Sequence, residues 1–141
     1  MRFNYRLVSL AVALLLCVSS FASAESSQQM IDAMKKTIET LVDDYYYYKV
    51  ECNESGVIVK IAHEGLSFGV LSIGAGLSDS EVWEKARASS LEFANSLFAF
   101  IKVFHFTEPN CLFMLVDDLN MDTTYLSIYN GTIIYDYLPE K

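Results

Sequence analysis

The chain has 141 residues, 52% of them hydrophobic, and a formal net charge of −8. So apolar a composition excludes a disordered chain. The acidic balance argues against nucleic acid and anionic membrane surfaces as partners, since both reward clustered Lys and Arg.

In chain order, the first segment reads as an address. Arg2 and Arg6 precede an apolar run from Leu7 to Val18, and "FASA" at 21–24 has the small-x-small form of a signal peptidase site. The run is shorter than the ~20 residues a spanning helix needs. Residues 1–24 are therefore assigned to a signal peptide, which places the mature chain in a secreted or periplasmic setting. An uncut anchor is the alternative, and lipidation at Cys17 is disfavoured by the bulk of Leu16. Residues 25–141 form one α+β domain, too short for two cores. Losing Arg2 and Arg6 makes its charge −10, two below the −8 of the whole chain.

A helix opens near Ser26, where Ser26-Ser27-Gln28-Gln29 offers a capping box. Met30, Ala33, Met34, Ile38, Leu41, Val42 and Tyr45 recur at helical spacing, with Lys35, Lys36, Glu39 and Asp43 on the other side. From Tyr46 the period changes to two. Tyr46, Tyr48, Val50 and Cys52 alternate toward the core, and Tyr47, Lys49 and Glu51 toward the polar face. "NESG" at 53–56 is a turn, "VIVKIAH" at 57–63 a return strand, and "LSFGVLSI" at 66–73 is predicted as a third strand.

Ser78-x-x-Glu81 is a second capping box, opening a helix predicted to run to about Phe104. "CLFMLVDD" at 111–118 is apolar on both faces, as a central strand is. "YLSIY" and "TIIYDY" then flank Asn130-Gly131, a two-residue type I′ turn. The predicted order is αβββαβββ, two helices packed on one face of a mainly antiparallel sheet. That order resembles the secreted β-lactamase-inhibitor proteins in architecture. No motif accompanies the resemblance, and it carries over no residue roles.

Several residues are candidates for chemistry. Cys52 and Cys111 remain after leader removal, and two cysteines in an exported chain are expected to pair. Asp118-x-Asn120-x-Asp122 begins like a calcium loop, but Thr123 replaces the turn glycine and Tyr129 the bidentate glutamate. An acidic connecting loop is the reading taken. No zinc spacing, phosphate loop, G-x-S-x-G or H-E-x-x-H occurs. His63 and His105 are read as hydrogen-bonded structural residues, and no catalytic residue or cofactor is implied. Asn53-Glu54-Ser55 and Asn130-Gly131-Thr132 are glycosylation sequons, meaningful only in a eukaryotic secretory host.

One surface remains. The Asn130-Gly131 register puts Leu126, Ile128, Ile133 and Tyr135 on the core side of the last hairpin. Tyr125, Ser127, Tyr129, Thr132, Ile134 and Asp136 share the other side. With Tyr47, the rings of Tyr125 and Tyr129 would make an aromatic patch away from the helices. Cross-strand packing alone accounts for such a patch; a homodimer or a ligand surface are the functional alternatives. The sequence is thus read as a small non-enzymatic binding domain for a protein or small extracellular ligand. A secreted enzyme using His63 with an acidic neighbour, and a self-associating envelope protein, are the alternatives.

Overall fold

A computed structural model of the chain describes residues 27–103 and 108–138. The leader at 1–24, Cys17, Ser26, Phe104 and His105 lie outside the described residues. The elements are α1 (Ser27–Val42), β1 (Tyr47–Asn53), β2 (Gly56–Ala62), α2 (Leu66–Gly74), α3 (Glu81–Lys102), β3 (Asn110–Val116), β4 (Thr124–Tyr129) and β5 (Thr132–Asp136). The α+β class stands, but the order is αββααβββ rather than αβββαβββ. With it lapses the likeness to the β-lactamase-inhibitor order.

The strands form one five-stranded sheet in the order β1-β2-β3-β4-β5. Neighbours are antiparallel except β2 and β3, which run parallel. A parallel pair cannot be closed by a hairpin and needs a long crossover. Helices α2 and α3 supply it, which is why two helices stand between the second and third strands.

α1 buries Ile31, Met34, Ile38 and Val42, a stripe at three-and-four spacing. α3 buries Trp83, Ala86, Ser90, Ala94, Leu97, Phe100 and Ile101. Both stripes join one core with Val50, Val57, Val59, Ile61, Cys111, Phe113, Leu115, Leu126 and Ile128. The strand registers put those sheet residues on a single face. Among the described residues, the helices therefore cover one face of the sheet; the other is open toward the β1–β2 turn, around Glu51, Ile58 and Tyr129, while Ala62, Val116 and Ser127 on that same side are buried.

The segment 66–73 is a helix, not the predicted strand. Its apolar residues satisfy both periods within eight residues, so periodicity could not decide between them. A distant side chain decides. Gly65, the residue before the helix, sits at φ 78 with no side-chain cap of its own. The Asp118 carboxylate, more than fifty residues away, accepts the N–H groups of Gly65 (2.7 Å) and Ser67 (2.8 Å). It satisfies orphan donors at the helix start, as a local N-cap would.

Burial alone would raise the Asp118 pKa, but the Ser67 and Gly65 donors more than offset it and hold it below the ordinary 3.8. A carboxylate with a depressed folded-state pKa stabilises the fold above its unfolded value and loses that contribution as pH falls through the folded one. Asp118→Ala should therefore cost about 1–2 kcal/mol at neutral pH. The gap between wild type and variant should narrow as pH falls below 3.8 and through the lower folded-state value, since both states then bind the proton. Urea unfolding of both proteins across that range measures it.

The helix start at Ser78 is also displaced. Ser80 precedes the helix, and Asp79 Oδ1 accepts the Glu81 N–H at 3.1 Å in place of the predicted capping box.

Candidate functional site: the open sheet face

The open face is built by alternation. Its first row across the sheet runs Glu51, Ile58, Leu112, Tyr129 and Thr132; its second runs Lys49, Lys60, Met114, Ser127 and Tyr135. Charge is confined to β1 and to Lys60 of β2, leaving β3 to β5 uncharged on this side, with Leu112, Met114, Tyr129 and Tyr135 beside the small polar Ser127 and Thr132. Lys49 and Glu51 pair at 2.5 Å, and their hydrogen bond raises the lysine pKa and lowers that of the glutamate. Both are exposed, so the pair shapes charge more than it stabilises.

Two bulges set which tyrosines reach this face. In the last hairpin Ile128 pairs with Ile133 but Ser127 pairs with Tyr135, leaving Ile134 as an extra residue. The bulge inverts the faces predicted for the end of β5. Tyr135 joins the open face at 46% exposure. Asp136 comes opposite Leu126 on the helix side, where it accepts Trp83 Nε1–H (3.0 Å) and Arg87 Nη1–H (3.2 Å). On β4, Leu115 pairs with Leu126 and Val116 with Thr124, so Tyr125 is the extra residue.

Tyr125 accordingly leaves the predicted patch. It is buried, packs edge-on to Tyr137 with ring centroids 5.5 Å apart, and donates its hydroxyl to Asp117 Oδ2 at 2.5 Å. Burial, then the Asp117 carboxylate, pushes its pKa well above the ordinary range. Tyr129 stays on the open face at 41% exposure, and Tyr47 lies half-buried on the same side at the sheet edge. The structure therefore places Tyr129 on the same face as Tyr135, and Tyr125 apart from both.

The other tyrosines of "DDYYYY" divide differently from expectation. Tyr45 is buried as predicted, but Tyr46 and Tyr48 are 60% and 40% exposed rather than core. Tyr46 precedes the strand, and Tyr48 shares the Val50 side on an edge strand with no further strand beyond it.

Cys52 and Cys111 are free thiols, which corrects the expected disulfide. They do share one face and one row, but Val57 of β2 stands between them in the register. Two strand spacings separate them by about 9–10 Å, beyond the ~7 Å limit for bridging. A Cys52–Cys111 bond would need β1 and β3 side by side, and β2 occupies that place. Burial pushes both thiols up to about 12, so neither is poised as a nucleophile.

Asp118, Asn120 and Asp122 are engaged separately. Asp118 caps α2, while Asn120 Nδ2 donates to Thr123 Oγ1 and Asn120 Oδ1 accepts the Asp122 N–H. Asp117 takes the loop's N–H groups of Leu119 and Asn120 on its Oδ1. Among the described residues no group of three or more His, Cys, Asp or Glu is placed to hold a metal ion. His63 lies edge-on to the Tyr45 ring, with centroids 4.8 Å apart.

The residues missed by sequence reasoning lie where β1–β2 turns and β3 begins. A shallow depression of about 280 Å³ there is lined by Glu51, Asn53, Ile58, Asn110, Leu112 and Tyr129, among others. Asn110 Oδ1 accepts the Tyr129 hydroxyl (2.6 Å) and Asn130 Nδ2 (3.3 Å). Asn130, at φ 48 in the predicted turn, also accepts the Cys111 N–H at 2.7 Å. The sequence signal for this cluster was the asparagine before Cys111, which only the β3–β4 register brings beside Tyr129.

Comparison with protein-family models, with curated proteins and with solved structures found no match to this chain.

Proposed function

We propose that the chain is a secreted or periplasmic, non-enzymatic binding domain that engages a protein or small extracellular ligand through its open sheet face. The observation that carries this reading is the uncovered row of Ile58, Leu112, Tyr129 and its neighbours Met114 and Tyr135. Sheet faces left bare normally alternate to polar residues. Here the bare side of β3 to β5 keeps large apolar and aromatic groups, the composition of interface cores. Export is supported by the leader pattern in residues 1–24, and no described helix is long and apolar enough to cross a membrane.

The test uses partners captured from the native medium or envelope. Tyr129→Ala should weaken association by at least about 1–2 kcal/mol. Its melting temperature should stay near wild type, because the ring already stands partly in water. A variant that melts early and binds normally would return Tyr129 to sheet packing.

Self-association is the second reading. Phe68 and Leu71 stand one turn apart on α2 at 77% and 60% exposure, followed by Leu77 at 81% and Val82 at 63%. Apolar groups so exposed are candidates for contact with a second copy. Sedimentation separates the readings: a monomer over a wide concentration range rules out the second.

A further inference from the structure

We infer that the depression at the β1–β2 turn end of the open face binds the end of a neutral saccharide; this rests on the open-face reading and narrows it to a ligand class. A sugar ring presents an apolar C–H face and a fringe of hydroxyls. The depression offers the counterpart of each. Ile58 and Leu112 supply apolar surface side by side on neighbouring strands. Tyr129 adds a ring whose hydroxyl is already tied to Asn110 at 2.6 Å, so its position is set before any ligand arrives. A ring held in advance loses little rotamer freedom on binding.

The polar groups around it are amides and one paired acid. Asn110 uses its Oδ1 twice within the protein, and Asn53 uses its Oδ1 once, for the Ser55 N–H at 2.8 Å. Among the described residues, neither Nδ2 group meets a protein acceptor. Each side chain is thereby oriented by its oxygen with its two donors left for a ligand. Glu51, on the same lining, adds carboxylate acceptors, and its charge is matched by Lys49 at 2.5 Å.

Donors and acceptors without net charge suit hydroxyl groups and select against ions. The whole-chain charge of −8 further disfavours polyanionic glycans. An extended peptide fits less well. The floor strands β2 and β3 are interior, with neighbours on both sides, so no strand edge is open there for main-chain pairing. At about 280 Å³ the space falls just below the usual range of ligand clefts, which begins at about 300 Å³, and suits one or two sugar units rather than a long chain.

The experiment is a titration of isotope-labelled exported protein, followed by NMR, with a panel of neutral oligosaccharides that includes maltotriose and chitotriose. An oligogalacturonate serves as the anionic control. A neutral member should shift the side-chain amides of Asn53 and Asn110 and the Tyr129 ring, and the anionic control should not. Tyr129→Ala should weaken that binding by about tenfold or more. Tyr129→Phe keeps the ring but cuts its tie to Asn110, and should fall between. Two results would overturn the assignment: silence across the neutral panel, or shifts that Tyr129→Ala leaves intact. A peptide-library ligand that moves the same signals when no saccharide does also overturns it, while leaving the open-face reading standing. Silence with saccharides, peptides and captured partners alike counts against both.

Discussion

Gly56→Ala should destabilise the fold by at least about 3 kcal/mol, more than an added Cβ at any other glycine of the chain. A Cβ at Gly56 would lie 1.9 Å from the Asn110 carbonyl oxygen and 2.7 Å from its carbon, and the backbone there sits at φ 144. Both obstacles are main-chain, so no rotamer change relieves them. β2 and β3 would have to part at the start of their parallel pairing, where Gly56 faces Asn110. Gly131 makes an instructive contrast. Its added Cβ would come 2.3 Å from Asn95 Oδ1, the far end of a side chain that can turn away. Its cost should come mainly from the positive φ of 80 and stay near about 1–2 kcal/mol. Denaturant unfolding of the two variants, with m-values compared, checks the ranking.

Asp136→Ala should cost about 2–3 kcal/mol. The side chain is only 8% exposed and ties β5 to α3 through Arg87, while its other oxygen takes the indole N–H of buried Trp83. It also accepts the Leu138 N–H at 3.0 Å, fixing the chain just past the strand. Alanine would leave the buried indole donor without this acceptor and Arg87 without this carboxylate. Asp136→Asn keeps an oxygen for Trp83 and gives up the charge, so its loss should be smaller, near about 1 kcal/mol. Urea unfolding followed by the emission of Trp83, the single tryptophan, reads both variants.

What was legible in the residues was local and strongly periodic. The α1 stripe, the apolar run 111–116 of β3 and the Asn130-Gly131 turn each follow from a few neighbouring side chains, and each is present. What failed depended on groups far apart in the chain. Segment 66–73 is helical because Asp118 caps it from another loop, and nothing within the segment announces that. The thiols stay apart because a parallel β2–β3 pair fills the space between them, and hydrophobic pattern does not reveal strand order.

The tyrosine patch was half legible for a related reason. Tyr129 was placed correctly because it adjoins the turn that sets the register. Beyond one residue of bulge at Ile134, alternation inverted, so Tyr135 and Asp136 exchanged the faces expected of them. Only the lone acid in an apolar strand hinted that Asp136 had an inward partner. The polar cluster beside the depression was legible only as an asparagine before Cys111, since Asn110 meets Tyr129 and Asn130 only after β3 and β4 align.

The central claim is that the helices cover one face of the sheet while Tyr129 and Tyr135 stand exposed on the other. Hydroxyl-radical footprinting of the folded protein, with tyrosine oxidation followed by mass spectrometry, tests it most directly. Tyr129 and Tyr135, 41% and 46% exposed, should label readily, while Tyr125 at 4% should be protected until the protein unfolds. Tyr125 labelling as fast as Tyr129, or Tyr135 protected alongside it, would contradict the bulged register and the open face together.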